Sequence, residues 1–246
     1  MKRFGFVVSL LACLSVVFFS NHSGDARASN GPAKSAVSYA ALEQELISEI
    51  NLARTRPSEY AAYLEALRPM FAGKEYRRPG KSALLTEEGA VPLEEAIKFL
   101  RAAKPLSPLS VATGMCSGAR ALVTEQSTSG ATGHKGADGS FCEQRTERFG
   151  AWREPIGENL NYSDDSARER VFTLLIDDGV ANRGHRQRIL NPGYKVVGVA
   201  CGQHKLGSLC VITFAGGFTD KPAARAQSTP AQKSTAPSKP AGAKRF

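Results

Sequence analysis

The pattern of apolar and polar positions divides the chain into segments of different period. An apolar run, FVVSLLACLSVVFF, follows a basic start at Lys2 and Arg3, which is the pattern of a secretory signal. Further on, Leu42, Leu46, Ile50 and Ala53 recur at helical spacing, and after a break before Pro57 the period resumes with Tyr60, Tyr63, Leu64 and Leu67. This predicts two consecutive helices, the second with proline in its first turn. Residues 72–82, rich in Gly, Lys and Arg, read as a loop. "PLEEAIKFLRAAKP" and "LSVATGMCSGARALVTEQSTSG" predict two more helices, each flanked by Pro or Gly. The second half alternates a short helix around Cys142 to Phe149, a strand at "PIGENLNY", a helix from Ser166 to Ile176 and a tight turn at His185. Two valine-rich strands, "KVVGVAC" and "LCVITFAGG", close the pattern as an antiparallel hairpin. Helices interspersed with a few strands predict an α+β chain, a small sheet covered by helices.

Composition sets the boundaries of this pattern. Ala26-Arg27-Ala28 supplies a small-x-small cleavage site, so residues 1–28 read as a signal peptide and Ser29 as the mature start. A lipoprotein reading would acylate Cys13, but the apolar run continues past it. Residues 29–39 read as a flexible segment, 40–219 as one domain, and 220–246 as a disordered tail rich in Pro, Ala, Ser and Lys. The formal net charge is +9, yet residues 221–246 carry +6 of it and residues 1–28 another +2, leaving about +1 for residues 29–220. Nucleic acid is therefore not an expected partner. The basic tail reads as a solvated spacer or a weak adhesive for anionic envelope surfaces. No later stretch is long and apolar enough to span a bilayer, so the expectation is a secreted or periplasmic monomer.

Export changes the reading of the cysteines. Without Cys13 four remain, Cys116, Cys142, Cys201 and Cys210, and an even count in an oxidising compartment predicts two disulfides. The hairpin places Cys201 opposite Cys210, which leaves Cys116 with Cys142. No C-x-x-C pair supports a zinc site among them. Cys142 as a thiol nucleophile near His134 is the lesser alternative to its disulfide.

Four stretches place polar residues beside glycine or apolar neighbours: "TGHKGADGS" with His134, "IGENLNY" with Glu158, "TLLIDDG" with Asp177 and Asp178, and "RGHRQRIL" with His185. On a helix from Ser166 the inner face takes Ala167, Val171, Leu174 and Leu175, and Asp178 falls next on that face. A carboxylate continuing an apolar stripe needs a partner, because burying it alone is costly.

"GHKGADG", "GENL" and "GHRQRILNP" followed by a "VGVACG" strand resemble the CAP superfamily of cysteine-rich secretory, antigen 5 and pathogenesis-related proteins, especially its bacterial secreted members. The similarity covers about residues 43–217. It implies a three-layer α-β-α sandwich with a small, mainly antiparallel central sheet and a cleft lined by two histidines and two acids. By motif these are His134, Glu158 and His185, with Asp178 taken as the fourth from its helical phase and Asp177 in reserve. His204 matches no motif and is expected to be exposed.

Such a cleft has three chemical uses. His134 and His185 would ligate a divalent ion such as Zn, with the carboxylates orienting the rings. Glu158 as base with a histidine as acid would make a hydrolase. A purely structural tetrad would leave function to surface grooves for lipid, peptide or envelope polysaccharide. No H-E-x-x-H, G-x-S-x-G, Walker A or G-x-G-x-x-G pattern occurs. The sequence therefore favours a secreted binding or interaction protein able to bind a divalent metal over a metal- or Glu/His-dependent hydrolase, and either over a structural envelope protein.

Overall fold

Two helices open residues 38–222, the part of the chain that the computed structural model describes. The expected signal peptide, residues 29–37 and the tail beyond residue 222 lie outside it. Helix α1 (Tyr39–Thr55) buries Leu42, Leu46, Ile50 and Ala53, and α2 (Pro57–Glu65) starts on its proline and buries Tyr60, Ala61 and Leu64. The stretch expected to be a loop, residues 72–82, instead contains β2 (Glu75–Tyr76), which pairs with β1 (Phe71–Ala72) and β3 (Leu84–Leu85) in a small antiparallel sheet. Strands this short leave no period-2 signature in the sequence.

Helix α3 (Val91–Ala102) precedes the short strand β4 (Ser110–Val111), and α4 (Thr113–Ser129) ends on Gly130 in the left-handed conformation. Then come α5 (Cys142–Glu147), the long strand β5 (Gly150–Ser163), α6 (Ala167–Ile176), α7 (Gly184–Ile189), and the hairpin of β6 (Val196–His204) and β7 (Gly207–Asp220). Ser166 and Glu169 form a capping box at the start of α6, each side chain bonding the other's backbone N–H.

The main sheet has the order β4-β6-β7-β5, with β4 parallel to β6 and the other pairs antiparallel. Alternation along the hairpin assigns its two faces. Val197, Val199, Cys201, Cys210, Ile212 and Phe214 join the core formed with α1, α2, α3 and α6. Ala200, Leu209 and Val211 pack on Ala119, Leu122 and Val123 of α4. The result is the three-layer α-β-α sandwich. Gly198 marks how closely α4 crosses the sheet: a Cβ there would lie 2.3 Å from the Met115 carbonyl carbon, so "VGVACG" needs its first glycine for helix-on-strand contact.

Cys201 and Cys210 face each other in the register and form the expected disulfide. Cys116 and Cys142 do not: both are free thiols. The cause is helical phase. Gly118 of α4 faces α5, its Cβ position lying 3.1 Å from Thr146. Cys116, two residues earlier, is turned about 200° away, toward Glu43, Arg120 and Val199. His204 also departs from expectation. It is 4 % exposed, with its Nε2 on the Ala131 carbonyl at 2.9 Å and its ring tilted against Tyr162.

Candidate functional site

Edge strand β5 carries the first half of the site. Neighbouring strand residues point to opposite faces, so Glu158 turns to the α4–α5 side while Asn159 turns to the α6–α7 side. Glu158 Oε1 lies 3.0 Å from Nδ1 of His134, and its Oε2 accepts from Arg145 of α5 at 2.6 Å. Arg145 also donates to the carbonyls of His134 and Ser140, both at 2.9 Å. One guanidinium thus fixes the carboxylate and the loop that presents the imidazole. The Gly133 N–H donates to the Tyr162 hydroxyl at 2.9 Å, anchoring that loop to β5 as well.

The second half forms where α6 stops. Asp177 adopts the left-handed conformation, φ 60°, and so leaves the helical phase. Its Oδ1 lies 2.6 Å from Nδ1 of His185, and its Oδ2 accepts from the His185 N–H at 2.9 Å and the Arg186 N–H at 3.3 Å. The acid of this pair is therefore Asp177 and not Asp178. Extending the α6 stripe by one more residue fails because the helix ends at Ile176 and the chain turns. The Asp178 carboxylate instead accepts from the Glu87 and Glu88 N–H groups at 2.7 and 2.9 Å.

The four expected positions thus resolve into two dyads, His134–Glu158 and His185–Asp177, with no hydrogen bond between them among the described residues. Asn159 Nδ2 links β5 to the second dyad by donating to the His185 carbonyl at 3.2 Å. A cleft of about 540 Å³ runs beside His185, Asp177 and Asp178 along Leu160–Ser163, and its lining does not include His134 or Glu158. A carboxylate only accepts, so each Nδ1 carries a proton toward its acid, and the neutral ring keeps its lone pair on Nε2. Among the described residues, no group of three or more His, Cys, Asp or Glu side chains is placed to hold a metal ion.

Sequence reasoning missed the buried arginines that hold this region. Arg54 of α1 donates to the carbonyls of Ile189, Asn191 and Tyr194, and Arg186 to those of Leu175, Ile176 and Pro92. Arg170 bonds Asn161 and Ser163 of β5. Arginine is normally a surface residue, so composition gives no warning; the nearest signal is their placement beside apolar helix positions. Cys142 is buried, and burial pushes its thiol up to about 12, far from the thiolate a nucleophile needs.

Comparison with known proteins gives one family match and several similar solved structures. Residues 94–214 match the model of the CAP, or cysteine-rich secretory protein, family. No curated protein matches the sequence. Among solved structures, an extracellular SCP-domain protein of Bacillus anthracis is 17 % identical with a TM-score of 0.37, the match covering 45 % of this chain and 34 % of that one. An outer surface protein of Borrelia burgdorferi is 15 % identical with a TM-score of 0.39, covering 45 % and 78 %. A cysteine-rich secretory protein of Staphylococcus aureus is 13 % identical with a TM-score of 0.35, covering 63 % and 48 %. The chain spans about a third of the Bacillus protein's length. Residues 94–214, within the three-layer sandwich they help build, form a domain of the cysteine-rich secretory protein family.

Proposed function

We propose that this is an exported binding module whose working surface is the cleft beside His185. The observation that carries this reading is the cleft itself, a space of about 540 Å³ whose lining joins the His185 imidazole, held by buried Asp177, to leucines and aromatic rings. Mostly apolar lining with a few fixed polar groups is the usual constitution of a small-ligand site. The enzymatic alternative has less support, because Glu158 is 3 % exposed and already accepts from Arg145 and His134, which leaves it poorly placed as a base toward a substrate. The test is a fragment screen on the isotope-labelled full chain by NMR. Hits that shift His185, Leu160 and Leu174 together and weaken in Leu174→Ala are expected; a screen without such hits overturns the reading.

A second reading, a divalent ion, is favoured by the hydrogen bonding of the rings. In each dyad a buried carboxylate takes Nδ1 and leaves Nε2 as the donor atom, the outer-sphere support that metal-binding histidines commonly have. His134 and His185 are the residues that would offer a ligand to such an ion, each from its own dyad. The donor set does not fit a closed three- or four-ligand site, so water would complete the shell and binding would be weak. Zinc titration by calorimetry is expected to give weak uptake that falls in His134→Ala and in His185→Ala. Affinity should also drop as pH falls through the range near ~6.5 where imidazoles in general gain a proton. Uptake unchanged in both variants removes this reading.

A further inference from the structure

One wall of the His185 cleft comes from residues that precede the matched family segment. The small sheet β1–β3 contributes Phe71 and Tyr76, stacked at 4.7 Å, together with Leu84 and Leu85. Leu84 and Leu85 are 48 % and 76 % exposed, so this apolar wall faces solvent and open cleft. The strap that carries it is tied down on two sides. Arg78 and Lys81 bond Asp165 at 2.8 and 2.7 Å, and Lys81 also reaches Glu169. On the other side Asp178 accepts from Glu87 and Glu88, and Glu88 pairs with Arg183.

The charge of the cleft is one-sided. In its lining Asp165 is neutralised by Arg78 and Lys81, while the carboxylates of Glu87, Asp177 and Asp178 have no Lys or Arg partner among the described residues. The Glu87 side chain is exposed and makes no ion pair or hydrogen bond among the described residues. His185 adds an acceptor, since its Nδ1 proton points to Asp177 and its Nε2 lone pair is left over. An apolar body with a proton-donating positive head satisfies all three features: leucine and aromatic wall, surplus carboxylate, and imidazole acceptor. An anionic head would meet like charge, which selects against it.

We propose that the cleft binds a cationic amphiphile, an alkyl- or arylammonium whose apolar part lies against Leu84, Leu85 and Phe71 and whose head sits toward Glu87 and His185. This rests on the cleft-binding reading above and narrows it to a ligand class. The test uses the full chain and three probes of equal length: decylammonium, decanol and decanoate, titrated by calorimetry below their micelle concentrations. Decylammonium is expected to bind at least about tenfold more tightly than decanoate, with decanol between them. Glu87→Gln and Leu85→Ser alter exposed side chains, so the fold tolerates both. Glu87→Gln should cut the preference for the cation about two- to fivefold, while Leu85→Ser should weaken all three probes alike.

Decanoate binding as well as decylammonium, or a cation preference unchanged in Glu87→Gln, overturns the proposal. So does silence of all three probes. In that last case cleft hits in the fragment screen would show that only the ligand class was wrong, whereas an empty screen would remove the binding reading too.

Discussion

The two dyads share a local chemistry and differ in what holds the acid. In both, a side chain only 2 % exposed takes the Nδ1 of a more accessible imidazole, 43 % exposed for His134 and 25 % for His185. Glu158 sits on a strand and is compensated by a guanidinium that is itself 2 % exposed. Asp177 sits at a helix end and is compensated by backbone N–H groups. The first arrangement depends on a second charged side chain, while the second is written into the turn between α6 and α7. The same ring presentation is thus reached by two routes, and they should fail differently.

The widest separation is expected from Arg145→Met. It strands Glu158 as an uncompensated buried charge and should cost about 3–5 kcal/mol in chemical denaturation, much of which Arg145→Met with Glu158→Leu should restore. No restoration would show that the guanidinium acts mainly through the His134 and Ser140 carbonyls. Asp177→Ala removes the acceptor of two backbone N–H groups and should cost about 1–3 kcal/mol. A single charge-removing substitution nearby should not rescue it, because no Lys or Arg side chain bonds this acid among the described residues.

The smallest effect concerns the strap beside the second dyad. The Arg183 guanidinium and the Gly179 N–H hold the Glu88 carboxyl at about 2, below its ordinary 4.5. A depressed carboxyl stabilises the fold above its ordinary value, and that contribution is lost as pH falls from about 4.5 toward 2. Glu88→Gln should therefore lower stability slightly at neutral pH, flatten the acid limb of a stability–pH curve and converge with the parent chain as pH falls toward 2. A loss at neutral pH as large as that of Asp177→Ala would mean the strap supports the dyad directly.

Much of this site was legible in the sequence, and its failures have local causes. His134, Glu158 and His185 stand in short glycine-flanked motifs, and the hairpin that pairs Cys201 with Cys210 follows from two valine-rich strands around a short loop. Asp177 ranks only as the reserve acid on helical phase, because that phase breaks at a residue with φ 60°, a backbone choice that non-glycine residues rarely make. The Cys116–Cys142 pairing failed because a count of cysteines says nothing about which side of α4 each occupies. Arg145 was illegible for a different reason: a motif records the groups that face a ligand, while the cation that fixes them lies one layer behind.

Arg54 sets the limits of the folding unit. It binds carbonyl groups as far as 140 positions further along the chain, so the first helix and the segment after α7 complete one another. A fragment beginning at residue 94, where the family match starts, would leave those oxygens stranded under a missing roof. The smallest autonomous piece of this protein must accordingly begin no later than α1.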